Sequence, residues 1–289
     1  MTATSKVEPA VVVRNVTKSF DGKTVLDGVD LDIPAGRTTL LMGENGSGKT
    51  IFLSCLAGGL HPTSGTIECF GDEPAEARTS FNFTLQDSLT LPDLTGRENA
   101  EFYADLHPNA TGEWLGIAER LGIADSLDDP VRDYSGGMIR KLELAIVFGV
   151  DVPLYLLDEP TAELDMAAIN TVHALVNERC REGKTVVFSS HTAVDVELAD
   201  KVAFVRDGHV GKVGAPDALL DTVPPVALAP TRTAADALRD HVGDDRLFET
   251  NDGYRGFLDA DTDEPALPDD IDVTEPSWSD FFNYYVRFN

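Results

Sequence analysis

The chain has 289 residues, with 50 acidic against 23 basic side chains and a formal net charge of −27. That length allows one large or two small domains with a sizeable core, and a surface this negative repels nucleic-acid phosphate and anionic lipid headgroups. No apolar run reaches the roughly 18 residues of a membrane span; the longest candidate, Leu142 to Leu157, is broken by Asp151 and Pro153. The first ten residues lack an apolar signal-peptide core, so a cytoplasmic chain without membrane insertion is expected. Cys55, Cys69 and Cys180 are scattered, form no C-x-x-C pair, and read as small apolar residues in a reducing compartment. The acidic excess runs through the whole chain, which points to a halophilic origin where dense carboxylates keep a protein soluble in concentrated salt.

In chain order, Val11 to Phe20 reads as a strand, and Asp21-Gly22 as a turn into Thr24 to Leu26. A further strand, Val29 to Ile33, ends in the Pro34-Ala35-Gly36 turn. Phe20 is either a core aromatic, the ordinary fate of a lone Phe, or a ring able to stack on a base. The apolar run Thr39 to Met42 then leads into Gly43, Glu44, Asn45, Gly46, Ser47, Gly48, Lys49 and Thr50, and a helix opens at Ile51 and continues to about Leu60. This is the phosphate-binding pattern G-x-x-x-x-G-K-[ST] in the strand-to-helix context it requires. Its glycines let successive N–H groups face one concavity, backed by a helix N-terminus. Lys49 would reach the β- and γ-phosphates of a nucleotide, and the Thr50 hydroxyl would take one position on Mg²⁺.

Beyond a turn at His61 to Gly65 come a strand, Thr66 to Phe70, and the apolar run Phe81 to Leu85, which ends at Gln86. Gln86 is either a polar edge residue or one able to reach a metal or its water. Thr95-Gly96-Arg97-Glu98 is a capping box that predicts a helix to about His107, and a second helix spans Gly112 to Leu121. Tyr134-Ser135-Gly136-Gly137-Met138 then precedes another helix; the Ser-Gly-Gly is either a flexible link or a second anion nest. The run from Leu154 to Leu157 predicts a buried strand closed by Asp158 and Glu159. Charges at the carboxyl edge of such a strand are costly unless used, and next to a phosphate loop their economical roles are metal holding by Asp158 and water polarisation by Glu159. His191 follows the strand Val186 to Ser190 and is either solvent-facing or a γ-phosphate sensor. Val202 to Arg206, Asp207-Gly208 and His209 to Val213 predict a closing hairpin.

With these pieces in order, the chain resembles the nucleotide-binding subunits of ABC transporters over about residues 11–220. GENGSGKT is similar to their Walker A loop, Gln86 to the Q-loop glutamine, YSGGM to the signature usually written LSGGQ, LYLLDE to the Walker B strand, Leu164-Asp165 to the D-loop, and His191 to the switch histidine. Tyr134 and Met138 depart from the common signature and resemble the ABC-2, drug-exporter-like branch. The resemblance implies an α/β fold: a P-loop NTPase (RecA-like) core with an N-terminal antiparallel β subdomain, an inserted helical subdomain at about 90–150, and a C-terminal extension over 221–289. It further implies ATP and Mg²⁺ as ligands, Glu159 as base, and Gln86 as a metal ligand and link to a separately encoded transmembrane permease. Phe20 stands where an adenine-stacking ring is expected. The catalytic unit would be a homodimer or heterodimer in which Ser135, Gly136 and Gly137 cover the γ-phosphate held by the partner. Its place would be the inner face of the cell membrane, through the permease, with export as its role. The competing class is a soluble ABC ATPase acting in DNA repair or on ribosomes; the acidic surface, the single cassette and the lack of a heptad insertion weigh against it.

In the extension, Pro224-Pro225 marks a boundary, Thr233 to His241 a short helix, and Leu247 to Leu258 a hairpin turning at Asn251-Asp252-Gly253. Asp259 to Glu275 is acidic and Pro-bearing and reads as a loop or disordered. Ser277 caps a terminal amphipathic helix with Trp278, Phe281, Phe282 and Tyr285 on one face, which either packs on its own domain or docks on a partner.

Overall fold

The structure, a computed structural model, describes residues 8–84, 88–239, 242–250, 253–258, 267 and 270–288. Two long strands open it, β1 (Pro9–Phe20) and β2 (Lys23–Pro34), paired antiparallel around Asp21 and Gly22. Both turn residues have positive φ, 48° and 82°, as a two-residue hairpin demands. Where the sequence pattern predicts two short strands, Thr24 to Leu26 and Val29 to Ile33, the chain makes the single β2. A bulge at Asp27-Gly28 breaks the alternation: Gly28 has φ 60° and the pairing slips between Lys18↔Leu26 and Val16↔Val29.

The fully buried β3 (Thr38–Met42) enters the loop that precedes α1 (Lys49–Leu56). This helix starts two residues before the expected Ile51 and stops well before Leu60, with Gly58 at φ 67° just beyond it. Next, β4 (Ser64–Cys69) pairs antiparallel with β1, giving a three-stranded sheet of order β2-β1-β4. The short β5 (Phe81–Thr84) is the last element before Gln86, which lies outside the described residues.

Three helices follow: α2 (Gly96–Leu106), α3 (Trp114–Arg120) and α4 (Gly136–Phe148). The expected capping box is formed, with Thr95 Oγ1 accepting from the Glu98 amide at 3.1 Å and Glu98 Oε2 accepting from the Thr95 amide at 2.8 Å. β6 (Leu154–Leu157) is followed by α5 (Met166–Arg181), a helix that the sequence pattern does not predict. Asp165 caps it by accepting from the Ala168 amide at 2.8 Å. Strands β7 (Thr185–Ser190), β8 (Lys201–Arg206) and β9 (His209–Gly214) complete a six-stranded sheet of order β5-β6-β7-β3-β8-β9. The pairs β5–β6, β6–β7, β7–β3 and β3–β8 are parallel, so β3, β6 and β7 deliver their carboxyl ends to one edge. Leu26, Ile33, Leu41, Phe52, Leu56 and Val187 belong to one buried cluster that joins the antiparallel sheet, α1 and a face of the parallel sheet.

The chain parts into two compact units, one ending at Val213 and the other beginning at Gly214. The second unit holds α6 (Pro216–Leu220), which the sequence pattern groups with the preceding domain, and then β10 (Val226–Ala229) and α7 (Arg232–Leu238). β11 (Val242–Thr250), β12 (Gly253–Leu258) and β13 (Asp272–Thr274) complete an antiparallel sheet of order β11-β12-β10-β13. The expected hairpin turn at Asn251-Asp252 and most of the acidic stretch after Asp259 lie outside the described residues. The stretch is not all loop, however, since Asp272–Thr274 pairs with β10.

Ser277 caps α8 (Trp278–Asn283) in a capping box with Asp280, and a π-helical turn, Tyr284–Phe288, continues it. Asp280 is 1% exposed and takes a fork of bonds from Arg255 at 2.9 and 2.7 Å. Phe281 is fully buried and Tyr284 meets the Phe257 ring at 4.9 Å, so the aromatic face packs on its own unit.

Candidate active site

Three buried strands of the parallel sheet lead into the site, β3 into Gly43 to Thr50, β6 into Asp158 and Glu159, and β7 into His191, while Phe20 ends β1 and Ser135 precedes α4. β3 has no exposed residue, and its register with β7 (Met42↔Ser190) together with that of β6 and β7 (Leu157↔Phe188) sets three strand ends side by side. Ligands of open parallel sheets bind beyond such ends.

The loop after β3 admits no side chain at two points. A Cβ on Gly43 would lie 2.1 Å from the Val205 carbonyl oxygen. Gly48 has φ +109°, and its Cβ would lie 2.9 Å from Leu26 Cδ2. The loop is therefore clamped between β8 and the β1–β2 hairpin with its backbone as the working surface. Ser47 Oγ is buried without a hydrogen-bond partner. Lys49, 5% exposed, donates from Nζ to the Gly43 and Glu44 carbonyls at 2.8 and 2.9 Å. Burial lowers its pKa, against the opposing pull of the Glu159, Asp158 and Glu44 carboxylates. A cation held so, next to two acids at a strand end, is ready to exchange carbonyl oxygens for stronger anionic ones.

Asp158 is fully buried. Its Oδ1 accepts from Ser189 Oγ at 2.5 Å and its amide donates to Thr84 Oγ1 at 3.2 Å, while Oδ2 is buried with no hydrogen-bond partner. A desolvated carboxylate oxygen without a partner is costly unless a ligand takes it. Among the described residues no group of three or more His, Cys, Asp or Glu could hold a metal alone. Mg²⁺, which binds through one or two protein oxygens and substrate phosphates, needs none. Asp158 Oδ2 and the Thr50 hydroxyl are hard oxygens of the right kind.

Glu159 sits at φ 46°, a left-handed conformation that costs about 1–2 kcal/mol for a side chain with a Cβ. Its amide donates to Ser189 Oγ at 2.9 Å, and its Oε1 lies 3.1 Å from His191 Nδ1. The carboxylate is 15% exposed and the imidazole 43%, so the pair faces outward at the sheet edge.

Phe20 is 40% exposed at the end of the β1–β2 hairpin, with Lys18 Nζ 4.8 Å from its ring centroid. It is therefore no core aromatic, and its face is already suited to a cation or a planar ring. Ser135 caps α4, its Oγ accepting from the Met138 amide at 3.3 Å. A Cβ on Gly136 would lie 1.9 Å from Glu163 Oε2, and one on Gly137 2.8 Å from the Glu163 carbonyl oxygen. The Ser-Gly-Gly thus lies against the turn after Glu159, and none of its contacts here is to the Gly43–Thr50 loop. Sequence reasoning does not single out Ser189, which holds both Asp158 and Glu159; the only trace is a hydroxyl pair, Ser189-Ser190, where an apolar strand ends.

A buried strand that hands its chain through a clamped glycine loop to a helix headed by a buried lysine defines the P-loop nucleotide-binding proteins. A family model for ABC transporters matches residues 26–162. The chain is 30% identical to the uncharacterised ABC transporter ATP-binding protein YdbJ of Bacillus subtilis, across 70% of this chain and 68% of YdbJ. It is 32% identical to the daunorubicin/doxorubicin resistance ATP-binding protein DrrA of Streptomyces peucetius, across 70% and 64%. The chain therefore belongs to the ABC transporter family. It also matches the human retinal-specific phospholipid-transporting ATPase ABCA4 at 32% identity over 72% of this chain, but spans only 10% of that protein. Among solved structures, the ATP binding subunit of an ABC transporter superposes with a TM-score of 0.68 at 23% identity, across 73% of this chain and 92% of that one, which places the fold.

Proposed function

We propose that the chain is the ATP-hydrolysing subunit of a membrane exporter and works as a dimer on a separately encoded permease. The observation that carries this is the convergence of buried Lys49, the unpartnered Asp158 Oδ2 and the Glu159–His191 pair at one sheet edge. The loop amides of Gly43 to Gly48 hold the phosphates of ATP, Lys49 neutralises the β- and γ-oxygens, and the Phe20 ring stacks on the base. Thr50, Asp158 and Gln86 hold Mg²⁺, which when bound offsets charge on the transferring phosphoryl group. Glu159 takes a proton from the attacking water as its oxygen bonds to the γ-phosphorus and the bond to the β,γ-bridging oxygen breaks, releasing ADP. His191, held on Glu159, reads the γ-phosphate. Ser135, Gly136 and Gly137 close over the γ-phosphate of the partner protomer.

Export follows the relatives: DrrA and the linearmycin resistance protein LnrL of Bacillus subtilis, 27% identical across 69% of this chain, carry resistance in their names. No helix among the described residues is long and apolar enough to cross a membrane. A groove of about 190 Å³ fits the permease: Phe83, Leu89, Leu106, Ile146 and Val147 line it, and Leu106 is 66% exposed. The end of β5, Phe83 and Thr84, forms part of its wall. The chain would then sit on the cytoplasmic face of the membrane. Phosphate release from MgATP is the test: the wild-type chain releases it and Lys49→Ala, which removes the cation on the phosphates, neither binds ATP nor releases phosphate. Wild-type ATP affinity in Lys49→Ala would reject the loop assignment.

A further inference from the structure

A second buried carboxylate lies beside the Glu159–His191 pair. Asp195, 1% exposed, stands in the 3₁₀ turn Ala193–Leu198 that follows β7. Its Oδ2 accepts from Ser190 Oγ at 2.6 Å, Thr161 Oγ1 at 2.7 Å and Thr192 Oγ1 at 3.1 Å, and its Oδ1 pairs with His173 Nε2 at 3.0 Å. Ser190 and Thr192 are the two neighbours of His191, Thr161 is two residues beyond Glu159, and His173 is on α5. One carboxylate therefore ties both sides of His191, the segment leaving Glu159, and a helix of the scaffold into a single knot. Burying a carboxylate raises its pKa, yet the bonds from His173, Ser190, Thr161 and Thr192 outweigh that and hold Asp195 below its usual range. Three of the four bonds come from short hydroxyl side chains close to the backbone, whereas His191 and Glu159 touch each other through side-chain tips 3.1 Å apart.

We infer that Asp195 is the positioning residue of the site: through Ser190, Thr192 and Thr161 it sets His191 and Glu159 against each other and against the γ-phosphate. This rests on the ATPase reading given above. Asp195 is buried and its oxygens are taken by Ser190, Thr161, Thr192 and His173, so its removal acts on turnover and leaves the nucleotide held by Lys49 and the glycine loop. Misplacing a reacting group by about 1 Å costs on the order of 10²-fold in rate.

The test compares wild type, Asp195→Asn, Thr161→Val and the control Thr171→Val, whose hydroxyl bonds only within α5, to the Ala167 carbonyl. Asp195→Asn keeps the shape with one acceptor fewer, and Thr161→Val cuts only the tie to the Glu159 segment, so it serves if the first variant does not fold. Phosphate release and the affinity for a fluorescent ATP analogue are measured in molar KCl. The expected result is a kcat lower by about 10- to 100-fold in both site variants, with KM and analogue affinity within about twofold of wild type and Thr171→Val unchanged. Wild-type kcat in Asp195→Asn and Thr161→Val, or affinity falling in step with kcat, overturns the assignment. A wild-type chain that binds the analogue and releases no phosphate overturns the ATPase reading and this one together, and is told apart because the variants then have no turnover to lose.

Discussion

Ser189 Oγ donates to Asp158 Oδ1 at 2.5 Å, a bond across the ends of the neighbouring parallel strands β7 and β6. The same oxygen accepts from the Glu159 amide at 2.9 Å, so one hydroxyl orients the proposed metal ligand and pins the left-handed backbone of the proposed base. Ser189→Ala leaves both groups short of a partner, and a buried group so left costs about 1–3 kcal/mol. Urea unfolding should show a loss of that size, with phosphate release reduced. An unchanged urea midpoint would mean that the hydroxyl holds neither residue.

Ser135 is exposed, and among the described residues its hydroxyl caps α4, worth about 1 kcal/mol. In the dimer proposed above the same residue meets the partner's γ-phosphate. Ser135→Arg should therefore bind ATP as the wild type does, lose little stability, and fail to dimerise with ATP, as read by light scattering. ATP-dependent dimerisation at the wild-type level would show that the signature does not act across the interface.

Much of this site was legible in the sequence because its parts are local. The loop pattern, the strand closed by Asp158 and Glu159, and the Thr95 capping box each need only neighbouring residues to be read. Gly28 misleads because a bulge inside β2 looks, in sequence, like the end of one strand and the start of another. Helix α5 was missed because its first half, Met-Ala-Ala-Ile-Asn-Thr-Val, has a weak apolar period, although Asp165 three residues before Ala168 is a readable cap. The strands β10 and β13 are short and pair with each other, each lacking an independent signal. Ser189 and the tie between Thr161 and Asp195 are invisible for a different reason: they rest on bonds between residues 31 and 34 positions apart, which no window of sequence contains.

Acid provides a check on Asp195 that is independent of turnover. Its folded pKa is depressed, so its contribution to stability is complete above the unfolded value of about 3.9 and is lost as pH falls through the folded value. The stability gap between wild type and Asp195→Asn should be present at neutral pH and close below about pH 4. A gap that is the same at pH 7 and pH 3 would show that the carboxylate charge has no part in the knot.

The net charge of −27 predicts a strong response to salt. Carboxylate repulsion is screened over about 8 Å at 0.15 M salt and about 3 Å at 1 M. The melting temperature and ATP-dependent dimerisation should both rise from dilute to molar KCl. A Tm that does not move between the two would reject the halophilic reading of the composition.

Glu159→Gln bears most directly on the claim that this chain couples ATP binding to dimer closure and reopens by hydrolysis. Gln keeps the shape and its bond to the water but cannot take the proton, and general-base assistance is worth about 10²–10⁴-fold. Lys49 and Asp158 are left in place, and removal of one negative charge eases the approach of the γ-phosphate. Moving a dimer from 1:99 to 99:1 closed requires about 5.5 kcal/mol from ATP, which the variant no longer discharges. Size exclusion with ATP in molar KCl, alongside phosphate release, should show a persistent dimer and almost no phosphate. A Glu159→Gln chain that stays monomeric with ATP, or hydrolyses at the wild-type rate, would contradict the mechanism.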